Sequence, residues 1–326
     1  MKIAVIDCGT NTFNLLVTEA TRDKWHVLFQ NKLPVKLGAG GFEDRVILPA
    51  RFVRGLDAMM CHKQNIQNFQ CEKTFAFATS AIRETQNGQE FVQKVKSLFG
   101  IEIEVIDGNR EAELIYDGVS QSIDLGDEKA LIMDIGGGST EFVIADGKQI
   151  YWKQSFLLGV SRLNDLVKPE NKLSTTDTDY LDKILGTELK PLQDALKVHE
   201  VSRLIGSSGS FDTILMMHLH KIKQETEGQL LHSDIPLRVF HDIHNWLVQS
   251  TMEQRLQHPV IPGMRAEYMP LASYLIKHVL QIHAFTTLTH SAYSLKEGAM
   301  RSILSRIDWP AAKATESEDS QDNSES

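Results

Sequence analysis

Residues Asp134–Glu141 read DIGGGSTE and form a glycine-rich, acidic turn between two apolar runs. Leu131–Met133 precedes the turn and Phe142–Ile144 follows it, a pattern that predicts strand, turn and strand. Three consecutive glycines expose backbone N–H groups without a Cβ atom in the way, and Ser139 and Thr140 add hydroxyls. These groups are suited to binding phosphate, although a glycine-rich hairpin with solvated acids has the same pattern.

A second turn of this kind lies near the N-terminus. Asp7–Thr12 reads DCGTNT and separates the apolar runs Ile3–Ile6 and Leu15–Val17. An aspartate at the end of a strand can hold a divalent cation, usually through water. One such turn is equally compatible with an ordinary hairpin, but two turns, one in each half of the chain, predict a cleft that holds phosphate groups from both sides.

The composition is that of an ordinary globular protein, with 42% hydrophobic and 24% charged residues among 326. The net charge of −9 argues against nucleic-acid binding. No stretch has the length of a membrane span and no secretory signal is evident, so no membrane association and a cytoplasmic location are expected. Cys8, Cys61 and Cys71 are too few and too irregularly spaced for a disulfide scaffold or a zinc site.

Three antiparallel strands followed by alternating helices and strands occur twice, which predicts a mixed α/β fold with a pseudo-twofold repeat. We predict two domains, residues 1–125 and 126–310, and a disordered acidic tail, 311–326, that ends in ESEDSQDNSES. The pattern of the second half also predicts one long helix over Thr176–Leu196 and another over Arg265–Val279.

Three further features are candidates for a functional site. Glu111 begins a helix after the strand Ile101–Ile106, where a carboxylate can accept a proton from water; from spacing alone, an acid that merely suits the helix dipole is the simpler interpretation. Arg83 follows another strand and is either a bidentate phosphate ligand or a surface arginine. Gly206–Ser210 has the composition of a phosphate-facing loop, a weak signal.

Together these motifs resemble the exopolyphosphatase/guanosine pentaphosphate phosphohydrolase (Ppx/GppA) family. That family belongs to the actin-like, acetate-and-sugar-kinase superfamily, whose members have two ribonuclease-H-like domains and an interdomain cleft. The resemblance extends from Met1 to about Leu304. The motifs that carry it follow one another along the chain: Ile6–Thr12, Ala78–Arg83, Gly108–Ala112, Asp134–Glu141, Gly206–Ser210 and Ser294–Gly298.

The resemblance implies a role for each candidate residue. Glu111 matches the base that activates the attacking water, and Asp7, Asp134 and Glu141 match the acids that organise Mg²⁺; a requirement for a monovalent cation stays open. The residues implied in phosphate binding are Gly9, Thr10, Asn11, Thr12, Arg83, Gly136, Gly137, Gly138, Ser139 and Thr140. A distal substrate loop is expected at Gly206, Ser207, Ser208, Gly209 and Ser210.

The implied activity is Mg²⁺-dependent release of terminal orthophosphate from inorganic polyphosphate. Guanosine pentaphosphate is the alternative substrate, and a small-molecule kinase or a non-catalytic sensor are alternative functions; a sensor would have no need of Glu111. The resemblance also implies a homodimer and a short, two-domain form of the family. Arg110 departs from the family pattern, which often has an acid there, and is expected to place positive charge beside the base.

Overall fold

The computed structural model describes residues 1–22, 24–223, 230–307 and 309. The predicted tail, 311–326, lies outside them. The strands are β1 (Lys2–Cys8), β2 (Thr12–Ala20), β3 (Trp25–Pro34), β4 (Lys73–Ala78), β5 (Ile103–Val105), β6 (Ala130–Ile135), β7 (Thr140–Ala145), β8 (Ile150–Phe156), β9 (Arg203–Ser207), β10 (His232–Asp234) and β11 (Thr287–Ser291). The helices are α1 (Pro49–Asn68), α2 (Ser80–Arg83), α3 (Gly88–Phe99), α4 (Gly108–Ser122), α5 (Val160–Val167), α6 (Thr175–Glu188), α7 (Lys190–Val198), α8 (Ser208–Lys221), α9 (Leu237–Gln249), α10 (Met252–Gln257), α11 (Met269–Ile282) and α12 (Leu295–Leu304).

Two mixed sheets repeat the same strand arrangement. The first has the order β3-β2-β1-β4-β5, and the second has the order β8-β7-β6-β9-β11 with β10 added at its edge. In each sheet the first three strands are antiparallel, and the next two continue parallel to the first. Central strands are covered on both faces, which is why Ile3–Ile6 in β1 is continuously apolar and fully buried. The predicted α/β fold with an internal repeat is confirmed.

The two glycine turns occupy equivalent places in this repeat. The first turn joins β1 to β2, and Asp7 stands opposite Asn14 in the register of that hairpin. The second turn joins β6 to β7, where Asp134 stands opposite Glu141. Both aspartates therefore lie at the end of the first strand of a sheet, so that each sheet presents one turn toward the other.

Helices α4 and α12 join the two halves of the molecule. They pack against each other and share one apolar core with both sheets, to which Val5 of β1, Ile132 of β6, Ile115 of α4 and Met300 of α12 contribute. The first sheet precedes residue 125 and the second follows it, whereas α12 returns from the end of the chain to contact β1. The domain boundary at residue 125 stays a prediction.

Two predicted helices differ from the structure, and proline explains both differences. The predicted helix Thr176–Leu196 is broken at Leu189, because Pro191 has no N–H to donate and begins a new helix, α7. The predicted helix Arg265–Val279 begins only at Met269, since Pro270 occupies its first turn and the preceding residues form turns instead. None of the described helices is long and apolar enough to cross a membrane.

Gly206–Ser210 is not a loop, and that prediction is wrong. Gly206 and Ser207 end β9, and Ser208 begins α8 directly after them. The change of direction occurs at Ser208, whose φ of 70° lies in the left-handed region. The segment is therefore a sharp strand-to-helix junction, and whether it binds substrate stays a prediction.

Candidate active site

A cavity of about 150 Å³ lies between the two sheets, and we call it the cleft cavity. Both glycine turns, the first turn of α4 and the beginning of α8 line it. The predicted site residues that line it are Asp7, Gly9, Thr10, Asn11, Thr12, Glu111, Asp134, Gly136, Gly137, Gly138, Ser139, Ser208, Gly209 and Ser210. The predicted site residues outside its lining are Arg83, Thr140, Glu141, Gly206 and Ser207.

The two turns have the same backbone hydrogen bond. The N–H of Gly9 donates to the carbonyl oxygen of Thr12 at 3.1 Å, and the N–H of Gly136 donates to that of Ser139 at 3.0 Å. The turns also touch each other, since a Cβ atom placed on Gly137 would lie 2.8 Å from Cγ of Asn11. Glycine is required there by this close approach, which brings amide groups from both halves of the chain to one place.

Asp7 and Asp134 are the two predicted metal ligands that line the cleft cavity. Burial raises the pKa of Asp7 to about 6, although Asn14 donates its Nδ2–H to Oδ2 at 2.8 Å and so opposes the shift. The negative charge of Asp134 also raises that pKa. The Asp134 carboxylate accepts hydrogen bonds from Ser207 Oγ at 2.6 Å, from Ser208 Oγ at 2.7 Å and from Ser294 Oγ.

Glu111 lies buried at the start of α4, with its carboxylate held by Arg83. Arg83 Nη1 donates to Glu111 Oε2 at 2.9 Å and also to the backbone carbonyl of Ile106. Burial raises the pKa of Glu111 well above its usual value; repulsion from Glu141 adds to the shift and Arg83 opposes it. Arg83 thus orients the predicted base in this structure, and its contact with phosphate stays a prediction.

Glu141 and Thr140 do not line the cleft cavity. Glu141 Oε1 accepts a hydrogen bond from Ser155 Oγ at 2.7 Å, and burial raises the pKa of Glu141 to about 7. The Thr140 hydroxyl donates to the carbonyl oxygen of Leu158 at 3.0 Å, so it holds the strand end in place. Both residues contribute to the frame around the cleft cavity.

Arg110 does not sit beside the base. Its Nη1 donates to Glu113 Oε2 at 3.1 Å and its Nη2 donates to Ser302 Oγ at 2.7 Å. The expectation that Arg110 places its charge next to Glu111 is therefore wrong: α4 directs neighbouring side chains about 100° apart, and Arg110 is drawn toward α12.

Several residues of the site were missed by sequence reasoning. Asn14, Lys32 and Arg265 line the cleft cavity, and Ser294 both lines it and bonds to Asp134. Ser294 had a local signal, since Ser-x-x-Glu is a capping box, and Glu297 Oε2 accepts a hydrogen bond from the backbone N–H of Ser294 at 3.0 Å as that pattern predicts. Lys32 and Arg265 had none, because only the fold brings β3 and the turns before α11 to the cleft.

The donor groups at the cleft cavity fit Mg²⁺. Magnesium is usually held by one or two carboxylates, with water and substrate phosphates completing its coordination. Asp7 and Asp134 supply two carboxylates to the same cavity, and hydroxyls already bond to Asp134, which favours contact through water. Within the described part of the chain, no group of three or more His, Cys, Asp or Glu side chains is arranged to hold a metal by itself.

The repeated sheets with a cavity between them define a two-part α/β protein of the actin-like fold. The sequence profile of the Ppx/GppA phosphatase family matches residues 16–307, so the chain belongs to that family. The resemblance seen in the sequence is thus confirmed, and the chain is a phosphatase by family.

Solved structures support this assignment. An exopolyphosphatase from Cytophaga hutchinsonii is 35% identical with a TM-score of 0.92, and the match covers 94% of this chain and 99% of that one. A Ppx/GppA enzyme from Aquifex aeolicus is 22% identical with a TM-score of 0.76, covering 93% of this chain and 99% of that one. At 22% identity, this second structure shows similarity of fold alone.

Proposed function

We propose that the protein is a Mg²⁺-dependent phosphohydrolase that releases terminal orthophosphate from inorganic polyphosphate. The observation that carries the proposal is a buried carboxylate, Glu111, that lines the same cavity as two amide-rich glycine turns. A base and a set of hydrogen-bond donors at one small cavity are the parts that water attack on a phosphoryl group requires.

The residues of the site would divide the chemistry among them. The amides of the two turns donate to the oxygens of the terminal phosphoryl group. Glu111 accepts the proton of the attacking water, and a carboxylate whose pKa is raised by burial is a stronger base than a solvated one. Arg83 keeps the carboxylate in one orientation. Mg²⁺ held at Asp7 and Asp134 would supply positive charge to the phosphate oxygens.

The test is phosphate release by the purified protein with Mg²⁺. Medium-chain polyphosphate and guanosine pentaphosphate are compared at equal concentrations of terminal phosphate. A higher kcat/KM for polyphosphate supports the proposal. A higher kcat/KM for guanosine pentaphosphate would make that compound the preferred substrate of the same hydrolytic reaction. No release from either compound would contradict a hydrolase, and transfer from ATP to an acceptor without free phosphate would identify a kinase.

The pH dependence of the protein's thermal stability, measured with and without Mg²⁺, is expected to show whether Mg²⁺ binds at Asp7. Asp7 and Glu141 ionise near 3.8 and 4.5 when unperturbed, but burial raises their pKa values to about 6 and about 7 in the fold. The folded chain then binds more protons than the unfolded chain, so stability without Mg²⁺ falls as the pH rises through this window. Mg²⁺ binds Asp7 in its ionised form, so its effect on Tm should be a rise of a few degrees near pH 8 and much less near pH 5.

Two substitutions make this measurement specific. Asp7→Asn removes a carboxylate from the cleft cavity, so it should raise Tm without Mg²⁺ near pH 8 and reduce the Mg²⁺-induced shift. Asp57→Asn changes an exposed acid on α1 and should leave both quantities unaltered. An equal Mg²⁺ shift at both pH values, or one unaffected by Asp7→Asn, would count against a cation at Asp7.

A further inference from the structure

A second cavity of about 400 Å³ opens directly beside the cleft cavity. Asn14, Lys32 and Arg265 line both cavities and therefore mark their junction. The second cavity is bounded on one side by β2 and β3 of the first sheet, and on the other by α8 and β11 of the second half. Glu111 lines the cleft cavity and not the second cavity, so the second cavity continues the cleft on the side away from Glu111.

The two cavities differ in charge. In the cleft cavity the three acids Asp7, Glu111 and Asp134 are balanced by the three cations Lys32, Lys36 and Arg265. In the second cavity the cations Lys32, Arg265 and Lys296 face a single acid, Asp212. Such a gradient suits a long polyanion better than a single phosphate. The phosphoryl group that reacts needs a base and a cation beside it, and the phosphates behind it need only neutralising charge.

Two of these cations already have partners. Arg265 Nη1 donates to Thr213 Oγ1 at 2.8 Å, and its Nη2 lies 3.4 Å from the carboxylate of Asp212. Lys296 Nζ pairs with Glu297 Oε1 at 2.7 Å. These contacts fix the two side chains at the cavity walls without need of a ligand.

Lys32 is different. Its ammonium group forms no ion pair of 4.0 Å or less with any acid in the described ranges of the chain, 224–229 being outside them. Burial lowers the pKa of Lys32 to about 8; the charges of Arg265 and Lys296 add to the shift, and those of Asp212 and Asp7 oppose it. An ammonium group that is costly to keep charged in the free protein gains most from an anion at the junction.

We propose that the phosphates behind the reacting one pass from the cleft cavity into the second cavity, and that Lys32 binds them at the junction. This inference rests on the proposed phosphohydrolase activity and specifies the direction in which the phosphate chain leaves the site. Lys32 lines both cavities, so its charge should matter most for a chain long enough to continue past the junction, and less for pyrophosphate, which has no phosphate group beyond it.

The test compares pyrophosphate with tripolyphosphate in the full-length protein. Lys32→Met keeps the length of the side chain and removes its charge, and it should lower kcat/KM for tripolyphosphate by about 10- to 100-fold, since one charged hydrogen bond is lost. The loss for pyrophosphate should be smaller by about threefold or more, because Lys32 also lines the cleft cavity but pyrophosphate has no phosphate group beyond the junction. The matched control is Lys129→Met, whose ammonium group lies over the ring of Tyr151 outside both cavities. Equal losses for both substrates, or none, would overturn the proposal.

A binding measurement separates this proposal from the activity on which it rests. Tripolyphosphate should raise the Tm of the wild-type protein, and should raise it clearly less for Lys32→Met, whether or not phosphate is released. If phosphate is released but tripolyphosphate raises Tm equally in the two proteins, the proposed binding at Lys32 is wrong and the proposed phosphohydrolase activity stands. If the Tm shifts differ but no phosphate is released, the proposed binding at Lys32 stands and the proposed phosphohydrolase activity is wrong.

The phosphate chain itself can be inorganic or can belong to a nucleotide, and the second cavity allows the two sources to be distinguished. Leu215, Met216 and Leu219 of α8 line it together with Leu230, and form an apolar part of its wall beside Asp212. An inorganic chain makes no use of such a wall, whereas a nucleobase packs against it. If a nucleotide is bound there, Met216→Gln should lower kcat/KM for guanosine pentaphosphate and leave that for tripolyphosphate unchanged. If Met216→Gln changes kcat/KM equally for the two substrates, the bound chain is inorganic.

Discussion

Glu111→Gln is expected to reduce phosphate release by about 10²–10⁴-fold, the range typical of losing a general base. The carboxamide has the shape of the carboxylate and keeps an oxygen that can accept the hydrogen bond from Arg83 Nη1. The amide has almost no basicity, so water at the cleft cavity loses its proton acceptor. The loss should fall on kcat, while binding of polyphosphate, measured by calorimetry, stays within about threefold of wild type.

Glu113→Gln is the matched control for that experiment. Glu113 lies on the same helix but pairs with Lys153 and Arg110, outside the cleft cavity. It should keep wild-type kcat, because partly exposed ion pairs contribute little. If Glu111→Gln turned over as fast as the wild type, Glu111 would not be the base, and the burial of this carboxylate would be purely structural.

The parts of the fold that follow from local sequence were predictable. Each glycine turn lies between two strands whose apolar residues are contiguous. The order strand, turn and strand could therefore be predicted from the sequence for both Asp7–Thr12 and Asp134–Glu141. The repeat of this unit implied two similar sheets. The errors arose where one residue overrides a long pattern, as Pro191 and Pro270 do, or where a turn is a single residue, as at Ser208.

The assembly of the site depended on contacts that no local pattern contains. Ser294 bonds to Asp134 across 160 residues of chain. Lys32 lies on a strand whose sequence shows no phosphate-binding pattern, and it becomes part of the cleft only because β3 faces α8. The orientation of Arg83 toward Glu111 likewise follows from the pairing of β4 with β5, which sets α2 beside the start of α4. Residue types were therefore predictable, and their partners were not.

The crossing of α4 and α12 is the place where a single methyl group should have the largest effect on stability. A Cβ atom on Gly298 would overlap the backbone carbonyl oxygen of Leu114, and one on Gly118 would overlap that of Ser294. Backbone atoms cannot rotate away as a side chain can, so the helices would have to separate. Gly298→Ala is expected to lower the free energy of unfolding by about 3 kcal/mol or more, measured by urea denaturation.

The matched control is Gly186→Ala, because Gly186 lies in the helix α6 and a Cβ atom there would have nothing within 4 Å. That substitution should stabilise the protein by about 0.4–1 kcal/mol, since alanine restricts the unfolded chain. Gly298→Ala should also lower phosphate release in the fraction that stays folded, because α4 carries Glu111 and any movement of α4 shifts the base relative to the turns. Equal unfolding midpoints for Gly298→Ala and the wild type would mean that the helices tolerate separation, and the position of Glu111 would then depend on Arg83 alone.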